Sequence, residues 1–227
     1  MAKLSIIVPV LDEGEGIAAT LDTLSDMRAV GTEVIVVDGG SRDATIQRAR
    51  LRADLVISAP RGRALQMNAG AVKATGDVLL FLHADTQLPR DADHLVLNGL
   101  DRSGRAWGRF DVRIAGTHPL FAIVGCLMSL RSRISGIATG DQAIFVRRAV
   151  FEATGGFPAI PLMEDITLCK RLKRVSRPLC LRECAVTSGR RWEKHGVLRT
   201  ILLMWRLRIA YFLGADPKRL AERYGYD

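Results

Sequence analysis

The chain has 227 residues, 48% of them hydrophobic and 25% charged, enough for one sizeable core and too few for two. Thirty-three Lys and Arg against 24 Asp and Glu leave a formal charge of +9, which favours anionic partners such as nucleotide phosphates, nucleic acid or an acidic membrane surface. No low-complexity segment or internal repeat interrupts the chain, so disordered, fibrous and solenoid classes are excluded.

Residues 4–10 form a β-branched-rich strand with Pro9 near its end, where a missing ladder donor is tolerated. A turn at 11–14 leads into an amphipathic helix over 16–27, with Ile17, Leu21 and Leu24 at helical spacing. Residues 33–38 repeat the pattern: an apolar strand ends in Asp38, and after Gly39-Gly40-Ser41 comes a helix that Asp43 is placed to cap. A third strand is expected over 54–58 and a third helix over 64–74. The run Val78-Leu79-Leu80-Phe81-Leu82 is short and continuously apolar, as in a strand buried on both faces, and it stops at His83-Ala84-Asp85. This alternation predicts a mostly parallel, doubly wound α/β sheet with right-handed crossovers. Ligands of such sheets bind beyond the carboxyl ends of the strands, which puts Asp85 at the lip of the binding crevice.

The rhythm then loosens. A helix is expected over 89–100, a half-buried antiparallel strand over 107–114, and a buried helix over 120–130, too short and too closely flanked by Arg131 and Arg133 to span a membrane. A short strand at 142–146, a helix over 164–173 and extended chain over 178–186 follow. The four cysteines show no Cys-x-x-Cys spacing, so buried thiols in a reducing compartment are expected and a zinc site is not. The N-terminus enters the first strand directly, without a signal-peptide pattern, and residence in the cytoplasm is the expectation.

Taken in order, Leu4 to Glu13, Val34-Ile35-Val36-Val37-Asp38-Gly39-Gly40-Ser41, Leu80-Phe81-Leu82-His83-Ala84-Asp85, Met163-Glu164-Asp165 and Arg190-Arg191-Trp192 resemble the family-2, GT-A-fold inverting glycosyltransferases. The resemblance extends over residues 4–192. The segments 58–70 and 136–142 and the tail from 190 to 211 are similar to a bacterial subgroup, the radical-SAM/selenodomain-associated transferases of arsenosugar-biosynthesis type. What the resemblance implies is a metal-dependent transfer of a sugar from a nucleotide-diphosphate donor, a UDP-sugar foremost, to a hydroxyl on a small-molecule or lipid acceptor. The catalytic domain would be 1–195 and the helical appendage 196–227.

By the same resemblance, Pro9, Asp12, Asp38, Arg63, Asn68 and His83 line the nucleotide. His83-Ala84-Asp85 stands where the family has Asp-x-Asp, so Asp85 is the implied ligand of Mg²⁺ or Mn²⁺, and a share for His83 stays open. Relatives carry Arg just before the Asn, where this chain has Met67, and Arg63 is the natural substitute near the phosphates. Asp165 is the implied general base, with Glu164 a positioning residue or substitute. Arg191 is placed to stabilise the departing diphosphate, Trp192 either stacks on the acceptor or packs, and His195 is a lesser candidate for a metal or phosphate contact. The family's Gln before this element is absent, its position falling on Thr187 or Ser188.

Two alternatives are weighed. A nucleotidyltransferase would be expected to carry a Gly-rich basic signature after the first strand, whereas Leu11-Asp12-Glu13-Gly14-Glu15 is acidic. A non-catalytic basic module would bind nucleic acid or membrane, but few aromatics interleave with the basic residues, so nucleic acid is not an expected partner. The tail over 197–213 places Leu198, Ile201, Leu202, Trp205, Ile209 and Phe212 on one face among Arg199, Arg206 and Arg208. That face either packs on the catalytic domain, the expected outcome, or meets a second subunit or the inner face of an anionic membrane.

Overall fold

A computed structural model describes residues 2–225, apart from the side chains of Arg191 and His195. At its centre is β1 (Leu4–Val10), buried along its whole length. Strand β2 (Glu33–Asp38) runs parallel to it on one side, with β3 (Leu55–Ser58) beyond. On the other side lies β4 (Val78–Phe81), also parallel. The chain thus winds outward through β2 and β3, then crosses back, leaving a topological switch point between β1 and β4. Asp38 and Asp85 therefore stand at one sheet edge with β1 between them.

Four strands extend the sheet past β4: β5 (Thr86–Gln87), β6 (Trp107–Ala115), β7 (Phe145–Arg147) and β8 (Leu179–Ser188), in the full order β3-β2-β1-β4-β7-β6-β8-β5. Here the sheet is mixed: β7 is antiparallel to β4 and β6, β5 is antiparallel to β8, and β6 and β8 are parallel. Because two reversals restore direction, β6 and β8 end at the same edge as β1 and β4.

Side chains two apart share a face, and both faces are covered, which is why these strands read as unbroken apolar runs. Ile6, Val8, Val34, Val36 and Leu80 pack beneath α1 (Ile17–Asp22), α2 (Ser25–Ala29), α3 (Thr45–Arg50) and α5 (Ala92–Ser103). Ile7, Ile35, Val37, Leu79 and Phe81 pack beneath α4 (Arg63–Lys73), α7 (Arg148–Ala153) and α8 (Glu164–Leu172). Gly70 lets α4 lie close: a β-carbon there would come within 2.5 Å of the Ile7 side chain.

Three expectations change. The helix over 16–27 is two short ones: at their junction the Leu24 amide bonds the Leu21 carbonyl three residues back, and the Thr23 hydroxyl donates to the Thr20 carbonyl. The helix α6 (Leu120–Ser135) is longer than its apolar run and only half buried, seated on β6 by Phe121, Val124, Gly125 and Ser129 while Ile123, Leu127, Leu130 and Ile134 face outward. After α9 (Arg190–His195), the tail helix α10 (Val197–Phe212) packs through Val197, Thr200 and Leu207. Of the apolar face expected to pack, Ile201 meets the cluster under α6, while Leu198, Leu202, Trp205, Ile209 and Phe212 are left exposed. A last helix, α11 (Pro217–Tyr224), is capped by Asp216, whose carboxylate accepts from the Lys218 amide at 3.0 Å.

Candidate active site

The carboxyl edge of β1 and β2 is a hydrogen-bonded frame. Asp12, in a left-handed conformation at φ 52°, accepts from the Arg42 amide at 2.7 Å, while its own amide donates to Ser41 Oγ at 2.9 Å. The next two amides continue the seam, Glu13 to Thr45 Oγ1 and Gly14 to Asp43 Oδ2, each at 2.8 Å. Asp38 is buried and turned back on its own loop, accepting from the Gly40 amide at 2.9 Å and the Ser41 amide at 3.1 Å. Beneath them the buried Gln66 amide donates to both the Val10 and Val37 carbonyls at 2.8 Å, tying the two strand ends together. Pro9 is buried one residue before, where pairing with β4 has already ended at Ile7, so its missing donor leaves no gap.

Across the switch point the edge is charged. His83 follows β4 and puts Nδ1 3.5 Å from Asp141 Oδ1, in the 3-10 turn Gly140–Gln142. Gly140 is required there, since a β-carbon would run into the His83 imidazole. The Gly140 amide donates to Asp165 Oδ2 at 3.2 Å, and the Ile166 amide to Asp165 Oδ1 at 2.7 Å. Glu164 and Asp165 open α8 behind Met163, itself held at φ 70°. Together with Met67, Phe81, Ile144 and Phe157, these groups line one small cavity.

Burial dominates the electrostatics. Glu164 is 5% exposed, and desolvation, followed by the Asp165 charge, pushes its carboxyl up to about 7. Burial raises Asp165 as well, against the pull of the Ile166 and Gly140 amides and of the charges on His83 and Arg63. Desolvation would also raise Asp141, but the hydrogen bond and charge of His83, then Arg63 and Thr187, outweigh it and hold the carboxyl below its ordinary value. Glu13 is raised by burial and the nearby Asp85, with Arg190 and Arg63 opposing. Arg63, at the start of α4, is thus within electrostatic reach of Glu13, Asp141, Glu164 and Asp165. Arg131 of α6 approaches Asp165 and Asp141 from within the fold; burial lowers its guanidinium, and Nε and Nη2 find no hydrogen-bond partner among the described residues.

Asp85, two residues past His83, is half-buried; Thr86 Oγ1 approaches its carboxylate at 3.5 Å, and its charge reaches Glu13. Among the described residues, no three His, Cys, Asp or Glu side chains gather to cage a metal. Asn68 is tied to a loop: its amide clasps the Phe157 backbone in both directions, at 2.8 and 3.0 Å. Trp192 packs against the cluster of Ile114, Phe121, Val124 and Val197. The side chains of Arg191 and His195 lie outside the described residues, but neighbouring Arg190 reaches within 3.8 Å of Glu13, bringing α9 to the crevice. Gln66, Asp141 and Arg131 escaped the sequence reading. Each acts through a partner far along the chain, Gln66 through Val10 and Val37, Asp141 through His83 and Arg131 through Asp165.

A family model, "Glycosyl transferase family 2", matches residues 5–146. The chain belongs to this family. Glycosyltransferases of PGL/p-HBAD biosynthesis from Mycobacterium tuberculosis and Mycobacterium bovis are 36% identical over 165 residues, 67% of this chain and 62% of theirs. The chain therefore spans less than two thirds of their length. Among solved structures, the fold matches a mannosyltransferase from Pyrobaculum calidifontis in complex with GDP-Man and Mn²⁺ (TM-score 0.66, 22% identity, 98% of this chain and 69% of that one). It also matches Staphylococcus aureus TarS in complex with UDP (TM-score 0.66, 21% identity, 82% and 60%). This glycosyl transferase family 2 chain thus has the GT-A fold, a mixed sheet flanked by helices.

Proposed function

We propose that this chain transfers a sugar, with inversion, from a nucleotide-diphosphate donor to an acceptor hydroxyl, using Mg²⁺ or Mn²⁺, and that a UDP-sugar is the donor to try first. The observation that carries the reading is the Glu164–Asp165 pair, Glu164 buried and Asp165 partly so, sharing a cavity with His83 and within electrostatic reach of Arg63, across the switch point from the Asp12–Asp38 frame. The UDP and GDP-Man bound to the two structural neighbours support a nucleotide donor.

In this reading Asp165 accepts the acceptor's hydroxyl proton as that oxygen bonds to the anomeric carbon. The bond from that carbon to the diphosphate oxygen breaks in line, and its electron pair leaves with the nucleotide. A carboxylate lifted by burial is a stronger base than an exposed one, and the Ile166 and Gly140 amides fix its orientation. Glu164 adds negative charge beside it and, half-protonated near neutral pH, keeps the pair from carrying two full charges. Asp12, Asp38 and Pro9 border the base and ribose, Arg63 and Arg191 the phosphates, and Trp192 backs the acceptor side.

The donor set suits a cation that arrives with a diphosphate, for which one or two protein carboxylates suffice and a closed cage is not needed. Asp85 would hold it, with His83 alongside, and bound there it would neutralise charge on the leaving diphosphate. The subgroup of radical-SAM/selenodomain-associated transferases is proposed on the segments 58–70 and 136–142 and the tail 190–211 alone, since the relatives named above carry other names. Of the four cysteines, expected as buried thiols, Cys169 is buried while Cys126 and Cys184 are exposed; a reducing compartment such as the cytoplasm is proposed on the cysteine spacing in the sequence. Incubation with UDP-, GDP- and TDP-sugars and Mn²⁺, followed by thermal shift and donor turnover, tests the proposal. Stabilisation by one nucleotide class is expected, and indifference to all three would overturn it.

A further inference from the structure

We infer that α6 and α10 together form a surface that docks on an anionic lipid bilayer. On α10, Leu198, Leu202, Trp205, Ile209 and Phe212 follow one another by alternate steps of four and three, a single stripe along the helix, and all are 54–67% exposed. On α6, Ile123, Leu127, Leu130 and Ile134 form a second stripe, 49–79% exposed. The helices adjoin. Val197 and Ile201 share an apolar cluster with Phe121 and Val124 from the first turns of α6, and Leu203 and Leu207 share one with Ile137, just past its end. Nine large apolar side chains on two neighbouring helices are far more than scattered surface residues account for.

The charges select the occupant. At 100° per residue, Arg199 and Arg206 border the α10 stripe on one side and Arg208 on the other. At its C-terminal end Lys170 sits 4.6 Å over the Phe212 ring. Neither helix contains an acidic residue. A two-fold pairing of this face with a second copy would set arginine rims of the same sign against each other. A bilayer with anionic headgroups offers the matching layers instead, negative charge at the level of the arginines and hydrocarbon beneath the stripe. Trp205 occupies the position of an interfacial anchor. The helices lie on the surface and do not cross it, since among the described residues no helix is long and apolar enough to span.

Flotation of the full chain with vesicles of phosphatidylcholine, with and without phosphatidylglycerol, tests the inference, and Trp205 supplies a fluorescence reporter. Binding to the anionic vesicles that weakens with salt is expected, with a blue shift in emission that W205F removes. The triple change R199Q/R206Q/R208Q should lower vesicle affinity roughly a hundredfold, as three arginines near the surface contribute. The double change L202E/I209E, at exposed positions, should abolish flotation without moving the melting temperature. Equal binding to neutral vesicles, or none to either, would overturn the assignment. So would a dimer seen by light scattering that L202E/I209E dissociates while flotation is absent, which would give the face to a second copy.

Discussion

The two sides of the crevice are built from opposite materials. On the side of β1, β2 and α4, carboxylates and amides meet the backbone at ordinary hydrogen-bond distances, and every carbonyl that a strand end exposes to Gln66 is satisfied. On the side of the 140 turn and α8, ionisable groups are buried beside one another: two adjacent acids raised by desolvation, and an arginine with unpartnered nitrogens. The first side is a rigid frame whose geometry exists before any ligand arrives. The second keeps two carboxyls raised by desolvation beside His83 and Arg63, and perturbed ionisable groups of this kind make it the candidate place for chemistry.

The largest effect should come from breaking the charged side at its centre. Asp165→Asn removes the proposed base with little change in shape, and turnover should fall roughly 10²–10⁴-fold while nucleotide-dependent stabilisation persists. Near-normal turnover would move the base elsewhere. Asp85→Ala should cost roughly a hundredfold or more in turnover and abolish the part of nucleotide stabilisation that depends on Mn²⁺, as read by melting curves with and without the ion. Stabilisation that kept its ion dependence would clear Asp85 of that role.

Breaking the frame should instead cost stability. Gln66→Leu removes the two hydrogen bonds that bridge the Val10 and Val37 carbonyls, while the Val10 carbonyl keeps the Gly39 amide, and urea titration should show a loss of about 2 kcal/mol, roughly 1 for each bond, with donor affinity weakened through the loosened loops. An unchanged midpoint would mean the strand ends hold without it.

The smallest effect sharpens the contrast through pH. A folded carboxyl at about 7 against an ordinary 4.5 means that the folded state keeps a proton which the unfolded chain has lost. The stability this gives is present below pH 4.5 and is lost as pH rises through 7. The ligand-free protein should therefore lose on the order of 2 kcal/mol between pH 5 and 8. Glu164→Gln should flatten that slope and raise the melting temperature at pH 8. A slope unaltered by the substitution would assign it to other groups.

Much of the frame was readable from residues alone. Unbroken apolar runs ending in an acid announced β1, β2 and β4, and the alternation with helices announced their parallel order, because local periodicity reports burial directly. The family motifs picked out Asp12, Asp38, Asp85 and the Glu164–Asp165 pair, though what each contributes chemically awaits the tests above. Beyond Asp85 the reading thinned. Nothing local says that β7 should reverse against β4, or that Asn68 should clasp a loop 89 residues away. The face of α10 was read correctly as apolar, and of the outcomes left open the favoured one, packing on the domain, holds for Ile201 while the other five residues meet solvent.

What the sequence by itself determined, then, is where chain segments are apolar, where they turn and which short motifs sit at strand ends, since these depend on neighbours within a few residues. Which carboxylate is driven up by burial, which arginine faces it and which apolar stripe meets solvent were decided by the tertiary structure. Desolvation and charge interaction depend on distance through space, and that distance is set by every other element packed around the group.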